Sequence, residues 1–337
     1  MDAPSPDDPL PNGDREPLFS SLNNATGILA AVSGGPDSMA MMHLLARWAP
    51  DRRPPVFVAT VDHGLRPEAA EEAALVAREA EALVLAHRTL VWTGEKPKAG
   101  LQEAAREARY RLLAEHAREV GASHLVTAHT LDDQAETILM RLAKGSGLTG
   151  LAGMRRERDL GGILHARPLL GRSKAELIAL CRENGWRFVT DPSNADERYA
   201  RVRWRRLMPL LAQEGLTARR LARLAERMAQ ATEALEIKAG EALADAGPET
   251  GEGEFSFEAL CLVREPFEIG LRILAQALAR IGLGNLRLHR LETSLERLRA
   301  AVLAGEPLRL TIAGALLDLA RSGRLRVRPE PPRSRGR

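Results

Sequence analysis

Two cysteines in 337 residues, Cys181 and Cys261, stand far apart and in no CxxC spacing. They supply no zinc or iron–sulfur ligand set and no disulfide framework, so the chain reads as cytosolic. No stretch approaches the roughly 18 apolar residues of a spanning helix, which excludes such a helix. The opening "MDAPSPDDPLPNGDREP" lacks the basic start and apolar run of a signal peptide; a disordered leader is expected over residues 1–20. No repeat of fixed period is visible, and no Lys follows a GxxxxG, so a Walker A loop is absent.

What is present is a globular composition, 45% hydrophobic and 28% charged, in a chain long enough for two cores. Apolar runs at 28–33, 56–63, 88–92, 124–129 and 163–170 alternate with Ala/Leu/Glu/Arg helical segments. That alternation predicts an α/β domain over 21–213, with a doubly wound, mainly parallel sheet. From about Gly215 the texture changes. A helical linker is expected over 214–248, then a small α+β domain over 249–337 with helices near 266–281 and 287–303 and closing strands after them.

Ligands of parallel sheets bind outside the carboxyl ends of the strands, where this chain gathers its polar residues. After the first strand, Ser33, Gly34, Gly35, Pro36, Asp37 and Ser38 open a helix. Backbone N–H groups unshielded by Cβ, together with the helix dipole, suit phosphate; a plain strand–helix corner is the other reading. After the fourth strand comes "AHTLDDQAET", with His129 beside Asp132, Asp133 and Glu136; Asp133 and Glu136 share a helix face. These acids suit Mg²⁺ or a cationic amine, and equally the ordinary capping of a helix start. Arg106 and Arg109, also three apart, suit charge building on a phosphate, or a salt-bridged surface helix with Glu103 and Glu107. "GSGLTG" at 145–150 spells GxGxxG but follows a helix rather than a strand, so a loop at the rim of the site is expected instead of a dinucleotide site. Between Arg201 and Gln230 eight arginines face two glutamates, a local excess suited to a phosphate backbone.

The loop "SGGPDS" resembles the pyrophosphate loop of N-type ATP pyrophosphatases. With "DHGLR" (62–66), "AREARY" (105–110), "AHTLDDQAET", "KGSGLTGLAGM" (144–154), "RPLL" (167–170) and "DPSN" (191–194), the order and spacing resemble the tRNA(Ile)-lysidine synthetase family over about residues 26–213. Two positions depart from that pattern: Thr130 stands where a second His is usual, and "RVRWR" carries Val202 where Asn is usual.

The resemblance implies ATP-dependent ligation of free L-lysine to the wobble cytidine of an isoleucine tRNA with a CAU anticodon. It implies ATP on Ser33–Ser38, Asp37 and Asp133 near Mg²⁺ or the lysine ammonium, and Glu136 with them. His129 and Arg106 or Arg109 would then stabilise the α-phosphate, while Arg201, Arg205, Arg219 and Arg220 grip tRNA. Homodimerisation is left open. A thiolase of the same superfamily, an amide-forming relative and a non-catalytic nucleotide- or RNA-binding module stand as rivals; the thiolase lacks its cysteines here.

Overall fold

Small and β-branched apolar residues bury both faces of the first strands, which is what a parallel sheet covered on each side by helices requires. The computed structural model describes residues 18–49, 54–65, 68–97, 99–189, 200–284 and 287–330. Of the leader expected over 1–20, residues 1–17 lie outside the described residues, as do Arg66 of "DHGLR" and the whole "DPSN" stretch, whereas Phe19 is described and buried in the core.

The chain divides into two compact units, 1–144 with 152–226, and 145–151 with 227–337. In order it forms β1 (Ile28–Ala31), α1 (Pro36–Trp48), β2 (Val56–Asp62), α2 (Ala69–Ala82), β3 (Ala86–Val91), α3 (Leu101–Glu119), β4 (His124–Thr127), α4 (Leu131–Ala143), the one-turn α5 (Leu148–Leu151), β5 (Glu157–Asp159), β6 (Leu164–Ala166), α6 (Lys174–Glu183), α7 (Ala200–Gln213) and α8 (Ala218–Asp245).

The first unit carries a six-stranded sheet of order β3-β2-β1-β4-β6-β5, parallel except for the β5–β6 hairpin. Alternation along β1 sorts its two faces. Ile28 and Ala30 pack with Met39, Met42 and Leu45 of α1, Val76 of α2 and Leu177 of α6; Leu29 and Ala31 pack with Leu113 and Ala117 of α3. The chain leaves β1 toward β2 on one side and returns as β4 on the other, so the topological switch point lies between the carboxyl ends of β1 and β4. Ala31 and Thr127 are paired there, and the two polar loops start side by side.

The second unit adds β7 (Glu249–Gly251), β8 (Glu254–Glu258), α9 (Cys261–Arg264), α10 (Phe267–Arg280), α11 (Leu288–Ala304), β9 (Leu308–Ile312), β10 (Ala315–Leu319) and β11 (Arg324–Pro329). Its antiparallel sheet, ordered β7-β8-β11-β10-β9, buries Phe257, Leu317 and Val327 against Leu274 and Leu278 of α10 and Leu295 of α11.

Two details of the division into units bear on the expected domain organisation. The units part inside α8, between Glu226 and Arg227, where the sequence suggested a separate linker over 214–248; the first half packs Leu221 and Ala225 on Ile138 of α4, and the second half packs Ala242 and Leu243 into the other core. "GSGLTG" groups with the second unit, Gly147 lying against the Leu288 side chain.

Candidate active site

The turn after β1 is held open by its own residues. The Ser38 hydroxyl accepts from the Ser33 amide at 3.1 Å and donates to the Gly35 carbonyl at 3.0 Å, which cinches the loop around the start of α1. Gly34 adopts φ +86°, and a Cβ there would meet Val189 Cγ2 at 3.1 Å; its carbonyl accepts from the Val189 amide at 2.9 Å. Only glycine combines that conformation with that approach. Gly35 is the N-cap of α1 without any side-chain cap, and Pro36 supplies the first helical φ. The first N–H groups of α1 are therefore not spent on a capping side chain, as an anion site requires.

Asp37, in the first turn of α1, meets Lys174 at the first position of α6: Lys174 Nζ donates to Asp37 Oδ2 at 3.2 Å. The other oxygen, Oδ1, is buried with no hydrogen-bond partner among the described residues. Burial raises the Asp37 carboxyl above the usual range, Lys174 pulls it down, and Asp133 and Asp132 push it up. Asp132 spends Oδ2 on the Lys174 amide at 2.7 Å, capping α6. Asp133 is the third helical residue of α4 and closes a capping box with Thr130: its Oδ2 accepts from the Thr130 amide at 2.9 Å and the Thr130 hydroxyl at 3.0 Å. That box accounts for Thr at a position where the family usually carries His. One helical turn on, Glu136 is 1% exposed and accepts from Arg205 Nε at 2.8 Å, with Oε2 buried and without a hydrogen-bond partner among the described residues. Burial raises its carboxyl despite the Arg205 bond.

A cationic cluster faces these acids. Arg106 and Arg109 project over the Tyr110 ring, 5.1 and 5.7 Å from its centroid. Burial and the charges of Arg106 and Arg201 lower the Arg109 guanidinium, against the raising effect of Tyr110 and Asp133; an arginine stays charged under such shifts. His129 lies among them. Burial, then Arg109, Arg167, Arg201 and Arg106, push its imidazole down to about 2, so the ring is neutral at ordinary pH.

The structure thus brings Ser33–Ser38, Asp37, Arg106, Arg109, His129, Asp133 and Glu136 to the carboxyl ends of β1 and β4. Arg201 and Arg205, expected to grip tRNA, lie on α7 beside this cluster, and Arg205 is committed to Glu136. Arg219 and Arg220 open α8, with Arg220 bound to the Gly215 carbonyl at 3.0 Å. Sequence reasoning missed Lys174, Tyr110 and Arg167. Lys174 had a signal, since a lysine at the start of a helix opposes the dipole and calls for a compensating partner.

The PP-loop domain model matches residues 15–211. A tRNA(Ile)-lysidine synthase from Methylobacterium sp. (strain 4-46) is 53% identical over 324 residues, covering 95% of this chain and 93% of that one. Another, from Methylobacterium nodulans, is 56% identical over 317 residues, covering 93% of each. The chain belongs to the tRNA(Ile)-lysidine synthase family. Its α/β fold is shared with the U34-tRNA thiolase NcsA from Methanococcus maripaludis, at TM-score 0.52 and 17% identity over 60% of this chain and 72% of that one. For a lysidine synthase, the PP-loop domain implies ATP binding.

Proposed function

We propose that this ligase joins free L-lysine to C2 of the wobble cytidine in an isoleucine tRNA with a CAU anticodon, consuming ATP and releasing AMP and diphosphate. The observation that supports it most is the meeting of an uncapped α1 turn, an acidic group (Asp37, Asp133, Glu136) and a cationic group (Arg106, Arg109, His129) at one switch point.

Each step has a group suited to it. The α1 turn and its Gly34–Gly35 backbone bind the ATP phosphates and receive the leaving diphosphate. Cytidine O2 attacks the α-phosphate, and Arg106, Arg109 and the His129 N–H neutralise the charge that builds there. The ε-amine of lysine then attacks C2 and AMP departs. Lysine arrives as an ammonium, so a carboxylate must bind it and accept its proton; the raised carboxyl of Glu136 suits that task. The wobble base must leave its stack to reach them.

Mg²⁺ fits the donors. Mg²⁺ is commonly held by one or two carboxylates together with substrate phosphates, and the buried Asp37 Oδ1 has no hydrogen-bond partner among the described residues. Asp37, through its unpartnered Oδ1, and Asp133 would hold it, and the ion would supply charge neutralisation on the phosphates. Thiol chemistry finds no support: burial raises both Cys181 and Cys261 to about 11.

The test is release of AMP and diphosphate from ATP, with and without lysine and a CAU-anticodon tRNA. Asp37→Asn should abolish lysidine formation with the melting temperature retained. Near wild-type turnover would remove Asp37 from the mechanism.

A further inference from the structure

Behind His129 runs a buried chain of four side chains whose protons chemistry alone can place. Arg167, 5% exposed, donates through NH2 to His165 Nδ1 at 3.1 Å, and through NH1 to the Arg155 carbonyl at 2.7 Å. His165, fully buried, contacts Thr127 Oγ1 through Nε2 at 2.8 Å. The same hydroxyl, 1% exposed, contacts His129 Nδ1 at 2.8 Å.

A guanidinium has no lone pair to offer, so His165 Nδ1 is the acceptor and carries no proton. Burial, then the charge of Arg167 and His129, pushes His165 down to about 2, so the ring is neutral and its single proton sits on Nε2. That N–H donates to Thr127 Oγ1. The buried Thr127 hydroxyl has one proton of its own to place in a hydrogen bond, and its remaining side-chain partner among the described residues is His129 Nδ1. His129 Nδ1 is therefore an acceptor as well, and the proton of this neutral ring sits on Nε2.

We infer that Arg167, His165 and Thr127 are positioning residues that lock His129 as the neutral Nε2–H tautomer, making it an obligatory hydrogen-bond donor to substrate oxygen and denying it any role as general base. This rests on the reading above that His129 acts on the α-phosphate. Its consequence is a division of labour: with no free lone pair on His129, the proton of the lysine ammonium goes to the carboxylates. A donor without net charge also suits its surroundings, since a protonated ring would add a further cation to Arg106, Arg109, Arg167 and Arg201. The charged groups that face the ring from α3, from the β6–α6 segment and from α7 are all cationic and hold it neutral.

The tautomer is readable without catalysis. In full-length protein labelled with ¹⁵N-histidine, with His129→Gln used to assign the signal, His129 should show a bare Nδ1 and a protonated Nε2, unchanged from pH 5.5 to 8.5. A protonated Nδ1 in the wild type would overturn the inference whatever the enzyme assays show. His165→Leu should mix the tautomers and lower kcat for AMP release at least tenfold with little change in the KM for ATP. His165→Gln, which can accept from Arg167 and donate to Thr127, should restore both the spectrum and most of kcat. Equal activity and equal spectra for the Leu and Gln variants would overturn it. Should His165→Leu fail to fold, Thr127→Val removes the same link and is judged by the same spectrum. An intact tautomer with unaffected kcat would instead indict the reading of His129 as a phosphate donor.

Discussion

Lys174 Nζ lies 3.2 Å from Asp37 Oδ2, joining the first residue of α6 to the first turn of α1. Each side chain answers a problem set by the other. A lysine at a helix start is repelled by the dipole, and a carboxyl with one unpartnered buried oxygen is raised by burial. The pair holds together two of the helices on one face of the sheet, at the point where phosphate is proposed to bind.

Removing the cation should therefore move a titration. In Lys174→Met the lowering influence on Asp37 disappears while burial, Asp133 and Asp132 remain, so its carboxyl rises further. The acid limb of kcat should shift to higher pH, and a shift of one unit corresponds to a tenfold loss of rate on that limb, or about 1.4 kcal/mol. A pH–rate profile from 4.5 to 8 measures it; an unmoved limb would detach Lys174 from Asp37.

The Glu136–Arg205 pair makes a sharper stability claim. Arg205→Met leaves a carboxylate of 1% exposure unpaired, which should destabilise the fold by about 2 kcal/mol, below a fully buried pair because Arg205 reaches solvent. Glu136→Gln in the same chain should recover much of that loss. Urea unfolding of the two single variants and the double variant completes the cycle, and additive losses would mean the pair is not coupled.

How much of this was legible in the sequence depends on the range of the contact. β1 to β4 and the loops at their ends follow from apolar runs and local punctuation, so the sheet and the Asp37, His129 and Asp133 positions were readable. β5 was not: "ERD" has no apolar residue to mark it and exists only because it pairs with β6. Asp133 showed its charge but not its commitment to Thr130. Arg205 reads in the sequence as a tRNA contact, and nothing local reveals that Glu136, on another helix, also pairs with it. The Thr127–His165–Arg167 chain joins the ends of two strands, and no periodicity encodes such a meeting.

Arg219, half-buried and with no ion pair among the described residues, offers a cleaner test of tRNA contact than Arg205 or Arg220, which have intramolecular tasks. Arg219→Glu should weaken tRNA binding while ATP binding stays unchanged. If Arg219 meets a phosphate, the slope of log affinity against log salt should fall by about one unit. Filter binding between 50 and 200 mM salt reads the slope, and parallel lines for variant and wild type would exclude the contact.

Acid should destabilise the first unit through His43 once the pH falls below the ordinary imidazole range. Its ring stacks on Trp186 at 4.4 Å and is 7% exposed; burial, then Arg47, lower it from 6.5 to about 4, even with Glu79 at 3.6 Å. Between those values the unfolded chain binds a proton that the folded chain refuses, so stability falls as pH drops from 6.5 toward 4, by roughly 3 kcal/mol in full. His129 and His165, lowered further by burial and neighbouring arginines, pull in the same direction. His43→Phe keeps a ring against Trp186 and abolishes one of these titrations. Its unfolding free energy should thus depend on pH less steeply than that of wild type, by up to about 1.4 kcal/mol per pH unit between 6 and 4.5. Urea titrations at four pH values across that window decide it: identical slopes would mean that His43 is protonated in the folded protein, held there by Glu79 rather than excluded by burial.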